Sequence, residues 1–241
     1  LFMPPAPRFS PEEEREIVLD AAVACIEESS LLGFTIGAIA KRAGLSVGSL
    51  YKHVQSKEDL LVALATRQAR HTRRLYGEIL SAGLSAPQRI ISLSLLNPAK
   101  TRLFSFDEHL NTLVSSEAIL QRASQGWLAQ MRAAAESIDL MFRDFFQSAA
   151  DSGELDVANE EELHTLSMGC WSMCAGFQHI ALMRNVRGSE RQEHLLAYPL
   201  QATDYPIVCT QRLLNTYRWR HPLTAEAIES ACVHLVALGY R

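Results

Sequence analysis

The sequence predicts an all-α protein. Three observations carry that: apolar residues recur at helical spacing along nearly the whole chain, no run alternates like a half-buried strand, and helix start and stop signals punctuate the segments. With 241 residues, 48% hydrophobic and 21% charged, the chain can bury one large core or two smaller ones, which excludes disordered, collagenous and mini-protein classes. No apolar run approaches the ~18 to 20 residues of a membrane span, and the start lacks a basic-then-apolar signal pattern, so a cytoplasmic location without membrane contact is expected. Leu1 and Phe2 precede a candidate initiator, Met3, and residues 1–9 are expected to be disordered or an added leader. The five cysteines, Cys25, Cys170, Cys174, Cys209 and Cys232, lack CxxC spacing, so reduced core thiols are expected in place of disulfides or a zinc site.

The first helix opens at "FSPEEEREIVLDAAVACIEE", with Ser10 as N-cap, Pro11 at the first helical position and Glu13 placed to close a capping box. Glu12, Glu13 and Glu14 face the positive end of the helix dipole, and Ile17, Val18, Ala21, Ala22, Cys25 and Ile26 form one stripe that requires burial. A short second helix starts at the N-cap Thr35 and ends at Gly44, suited to a left-handed position after the helix. Ser46 caps a third helix over Val47–Val54, so only Gly44 and Leu45 separate the two and they must cross steeply. Leu50 and Val54 point coreward, leaving Ser49, Tyr51 and Lys52 off that stripe. Ser56 caps a long fourth helix running past Leu80, with Asp59 at its capping-box position and Arg67, Arg70, Arg73 and Arg74 reading as a solvated face. Further helices are expected near 86–96, 100–114, 116–122, 124–151, 159–184, 205–219 and 224–238, with residues 186–206 as a connection.

Charge is unevenly distributed. The net charge is −4, yet residues 35–76 hold eight Lys and Arg against Glu58 and Asp59, a balance of +6. Acidic stretches flank this segment, which is the electrostatic footprint of a phosphate-binding end on an otherwise repelling protein. The side chains around the steep helix pair suit close approach to a duplex. Ser46 and Ser49 can bond bases or phosphate, Val47 can touch a thymine methyl, and Gly48 removes a steric obstacle. Thr35, Tyr51, Lys52, His53 and Lys57 supply hydroxyls, a ring N–H and cations for phosphates.

The stretch "FTIGAIAKRAGLSVGSLYKHVQSKEDLL" resembles the DNA-binding domain of the tetracycline-repressor (TetR) family of transcriptional regulators. The family pattern is met at Thr35, Ile39, Ala40, Ala43, Gly44, Ser46, Leu50, Tyr51, His53, Ser56, Lys57, Glu58 and Leu60. Gly37 departs from it, standing where a polar or basic residue is common, and so does the lack of an aromatic at or beside His53. The resemblance implies a three-helix helix-turn-helix DNA-binding domain over residues 10–57, a fourth-helix linker over 57–82, and a helical ligand-binding and dimerisation domain over 83–241. It also implies a homodimer on a palindromic double-stranded operator, most simply a repressor released by a small, largely apolar effector. The rival expectation is a helical carrier or enzyme with a vestigial DNA-binding domain.

Residues 163–183 are apolar on nearly all sides, with Gly169, Ala175 and Gly176 permitting close helix approach, so this helix is expected to meet both its own core and a second subunit. An effector pocket is expected from Phe104, His109, Trp127, Met131, Met141, Trp171 and Phe177, each of which reads equally as core. Cys170 and Cys174 lie one turn apart, a spacing open to oxidant sensing but also to inert core thiols. No HExxH, GxSxG, GxGxxG or GxxxxGK[ST] motif occurs, and Asp107, Glu108 and His109 are adjacent helical residues that point apart. No enzyme activity, cofactor or metal is therefore expected.

Overall fold

The computed structural model describes residues 9–187 and 197–241. Residues 1–8, expected to be disordered or an added leader, and residues 188–196 of the expected connection lie outside the described residues. Among the described residues there are twelve helices: α1 Pro11–Ser29, α2 Ile36–Ala43, α3 Val47–Leu50, α4 Lys57–Leu80, α5 Ala86–Leu95, α6 Pro98–Thr101, α7 Asp107–Val114, α8 Glu117–Leu120, α9 Gln125–Asp151, α10 Glu160–Arg187, α11 Tyr205–Leu214 and α12 Ala225–Ala237. The all-α prediction holds, with one small exception. Strands β1, Leu155–Asp156, and β2, Arg218–Trp219, pair antiparallel with Leu155 opposite Trp219. Strands of two residues are too short to show alternation, so nothing in the pattern marks them.

The element ends follow local chemistry. Ser10 and Glu13 form the expected reciprocal capping box at the start of α1. The helix expected over 100–114 is interrupted, because the Asp107 carboxylate accepts the N–H groups of Leu103 (2.8 Å) and Phe104 (3.0 Å) and restarts the chain as α7. The helix expected over 205–219 stops at Leu214, whose carbonyl accepts the Trp219 indole N–H at 2.8 Å. Asn215 then ties down the following turn through both the N–H and the C=O of Leu223, each at 2.9 Å.

The chain forms two compact units: the described residues up to His71 with Leu103–Ala135, and Thr72–Arg102 with Glu136–Arg241. The boundaries of these units fall inside α4 and α9, and residues 103–135 pack with the N-terminal helices. In the first unit Val18, Ile39, Leu50, Val54 and Leu64 bury together with Phe104, Leu110, Trp127 and Leu128. In the second, Ile79, Ile91, Phe146, Leu166, Leu214, Trp219 and Ile228 form the core, with α12 and α11 packed on α5 and α11 on α10. At Gly169 a Cβ would meet Leu213 Cδ2 at 3.2 Å, which makes it the expected point of close helix approach, here between α10 and α11.

Candidate nucleic-acid interface

The turn between α2 and α3 is over-determined. Thr35 Oγ1 caps α2 by accepting the Ala38 N–H at 3.1 Å. Gly44 ends the helix at φ 68°, ψ 26°, a left-handed conformation that a Cβ would strain, and the Leu45 N–H closes back on the Ala40 carbonyl at 2.9 Å. Ser46 then caps α3 by accepting the Ser49 N–H at 3.0 Å while its hydroxyl donates to Ser49 Oγ at 3.0 Å. Leu50, fully buried, pins this helix to the core. Regular helix covers only Val47–Leu50, not Val47–Val54. The chain continues to Val54 in tight turns that mix three- and four-residue hydrogen bonds, such as His53 N–H to Leu50 O (2.9 Å) and Val54 N–H to Leu50 O (3.2 Å).

What this scaffold presents outward is a set of small or hydroxyl-bearing groups. Thr35, Ser46, Val47, Gly48, Tyr51 and Lys52 are exposed, with Val47 at 44% and Tyr51 at 46%, while Ser49 and Lys57 are half-buried. Packing within the protein does not demand the two glycines here. A Cβ on Gly37 would meet nothing within 4 Å, and on Gly48 only Ser46 Oγ at 3.9 Å, so their bareness leaves open space outside the domain. Lys57 lies at the N-terminus of α4 with its ammonium 4.8 Å from the centre of the buried Phe34 ring, which steadies the stem of a long side chain.

His53 departs from the expectation of a phosphate contact. Its side chain is only 6% exposed, and Nε2 lies 3.0 Å from Glu14 Oε2, so the ring faces α1. The Trp127 indole N–H donates to the His53 carbonyl at 3.3 Å, fixing the same residue from α9. Partners 39 and 74 positions away carry no local sequence signal.

Asp59 is the residue that sequence reasoning placed in too small a role. Its N–H donates to Ser56 Oγ at 3.0 Å as a cap requires, but its carboxylate does not complete a box with Ser56. Oδ2 accepts the Gln55 N–H at 2.9 Å and Oδ1 the Ser124 N–H at 2.6 Å, so one carboxylate, 1% exposed, joins the approach to α4 with the start of α9.

The basic segment is partly neutralised from within. Arg42 pairs with Glu28 at 2.6 Å, and Arg67 with Glu16 and, at 2.6 Å, Asp20, all on α1. Arg67 is therefore part of the domain's own packing and not of a solvated face. Lys41 and Lys52 remain exposed on the helix-turn-helix surface.

The residues expected to line an effector pocket separate. Phe104, stacked on Phe106 at 5.2 Å, Trp127 and half-buried Met131 pack in the core of the first unit, and His109 stands exposed on α7. In the second unit Met141 and Phe177 are half-buried, whereas Trp171 is 65% exposed and faces outward. Burial pushes the Cys170 thiol up to about 12, with Cys174 beside it adding to the effect, and burial raises Cys174 too. Both thiols stay protonated, which disfavours the oxidant-sensing reading. Among the described residues no cluster of His, Cys, Asp and Glu could hold a metal ion, and no helix is long and apolar enough to cross a membrane.

Residues 18–64 match the family model for bacterial regulatory proteins of the tetR family. No curated protein matches the chain. Similar solved structures include a TetR/AcrR-family transcriptional regulator from Thermobifida fusca, with 19% identity over 86% of this chain and 99% of that one and a TM-score of 0.55. The reduced form of NemR from E. coli aligns with 16% identity over 86% of this chain and 98% of that one, at a TM-score of 0.54. FadR from Bacillus subtilis, a transcriptional regulator in complex with stearoyl-CoA, aligns with 16% identity over 83% and 95%, at 0.51. At such identities the likeness establishes a shared fold.

Proposed function

The chain carries a tetR-family helix-turn-helix domain at residues 18–64, and we propose that it is a ligand-responsive transcriptional repressor that binds a palindromic operator as a homodimer. One observation carries this reading: α3 and the turn after it, locked by Ser46, Gly44 and Leu50, leave Val47, Gly48, Tyr51 and Lys52 exposed to solvent. α3 enters the major groove, Val47 and Ser49 face base edges, and Thr35, Tyr51, Lys52 and Lys57 hold phosphates on either side. His53 acts indirectly, by holding the end of the reading segment against α1 and α9.

A palindrome needs two copies. Met168, Trp171 and Ala175 lie exposed at helical spacing on α10, and Tyr205 is 70% exposed on α11, an apolar surface that favours pairing through these helices. Two reading helices then meet successive grooves about 34 to 36 Å apart. Release follows when an effector prefers a conformation with the wrong spacing; shifting the population from 1:99 to 99:1 takes about 5.5 kcal/mol of that preference.

A mobility-shift titration with DNA from upstream of its own gene tests the reading. A sequence-specific complex that weakens steeply with salt is expected, and Val47→Ala should change base preference instead of lowering affinity uniformly. Absence of any sequence-specific complex at every salt concentration would refute it.

A further inference from the structure

Resting on the regulator reading, we infer that operator specificity is set in part from outside the matched segment 18–64. Trp127, in the first turn of α9, is a positioning residue that fixes where α3 and its exit turn present Val47, Ser49, Tyr51 and Lys52 to DNA.

The need for such a residue comes from the brevity of α3. Regular helix ends at Leu50. The chain runs on to Val54 through Lys52 N–H to Ser49 O (3.1 Å), His53 N–H to Leu50 O (2.9 Å) and Val54 N–H to Leu50 O (3.2 Å), so two donors share one carbonyl in place of a continuing helical ladder. A four-residue helix followed by turns has little stiffness of its own, and its direction is set by what grips its far end. Three helices supply grips. Glu14 of α1 meets His53 Nε2 at 3.0 Å, Asp59 of α4 accepts the Gln55 N–H at 2.9 Å, and Trp127 of α9 donates its indole N–H to the His53 carbonyl at 3.3 Å.

Trp127 differs from the other two in what it holds and from where. Glu14 meets a side chain that keeps its own rotations, and Asp59 takes the backbone two residues further on. Trp127 takes the carbonyl of the residue next to Lys52, which fixes the peptide plane at that point. With Leu50 fully buried at the other end, the exposed pair Tyr51 and Lys52 is pinned on both sides. The ring itself cannot follow the turn. It is 8% exposed in the first core, and Arg15 Cζ lies 5.6 Å from its centre. Just before α9, the Ser124 N–H donates to Asp59 Oδ1 at 2.6 Å, so the start of this helix is a fixed body. A phenylalanine would fill the same core; only the indole brings a donor that has to find its partner, and it finds it on the reading segment. Base-edge contacts carry the sequence information, while phosphate contacts supply most of the non-specific attraction. A loosened exit turn therefore reduces discrimination before it reduces general affinity.

Trp127→Phe keeps an aromatic body and removes the donor. A benzothiophene analogue of tryptophan at position 127 removes the donor with the bicyclic shape retained, and answers the question should Phe unfold the chain. Each is compared with the wild-type chain by mobility shift on a duplex that the wild type selects from a randomised pool and on a shuffled duplex of the same composition, with urea unfolding alongside. The ratio of the two affinities should fall about three- to tenfold, the factor one hydrogen bond supplies, while binding to the shuffled duplex and its salt slope stay unchanged. A merely structural role would lower the folded fraction and weaken both duplexes alike. That outcome, or an unchanged ratio with the analogue, would overturn the inference. A folded wild-type chain that selects no sequence from the pool sinks the regulator reading itself, before any variant is compared.

Discussion

Replacing Asp59 by Ala probes the joint between the reading segment and α9. The carboxylate, 1% exposed, accepts two backbone N–H groups, from Gln55 at 2.9 Å and Ser124 at 2.6 Å. A hydrogen bond to a charged acceptor contributes about 1.5 to 3 kcal/mol, and water can replace part of the loss at exposed Gln55 and half-buried Ser124, so Asp59→Ala should cost about 2 to 4 kcal/mol of stability in the first unit. Asp59→Asn keeps one acceptor oxygen but puts an amide donor against the other N–H, and should cost about half as much. The assay is urea unfolding of the full chain, joined to amide hydrogen exchange at residues 55 and 124, which should lose protection first. A change within about 0.5 kcal/mol, the range of an ordinary surface substitution, with both amides still protected, would refute the assigned role.

Other substitutions separate the roles of neighbouring residues. His53→Ala removes the contact to Glu14 and should cost about 1 to 3 kcal/mol of stability while leaving the salt dependence of DNA binding unchanged, measured as affinity against salt concentration. Lys57→Ala should weaken binding alike on all sequences and reduce that salt slope by about one unit; an unchanged slope removes Lys57 from the phosphate contacts. For Cys170, raised from 9.0 to about 12 by burial, the unfolded thiol ionises before the folded one. Its contribution is thus fully retained below the unfolded value and is lost as pH rises from there through the folded one. Iodoacetamide at pH 8.5 should alkylate Cys170 at least about tenfold more slowly in the native chain than in urea, and equal rates would mean the thiol is open.

Caps and turns were legible from the residues because they are local. Ser10 with Glu13, Thr35, Gly44 and Ser46 each act within a few positions of themselves, and each stands where the spacing predicts. Long-range partners were not. His53 reads as an outward ring N–H donor until Glu14 and Trp127 are seen to hold it, and Asp59 reads as a cap until Ser124 is found on its second oxygen. Apolar residues show the same limit. Phe104, Trp127 and Trp171 share the composition of a pocket, yet two are core and one faces outward, because hydrophobicity says that a side chain seeks cover and not which cover it finds.

Leu103–Ala135 completes the N-terminal unit from a distance in sequence, so the DNA-reading module is not a contiguous piece of chain. A fragment cut after α4 would carry the whole family signature and still lack Phe104, Leu110, Trp127 and Leu128, leaving a raw apolar wound where they belong. Recombination that swaps heads among such regulators would have to carry this later segment along, or refit it, for the borrowed head to stand.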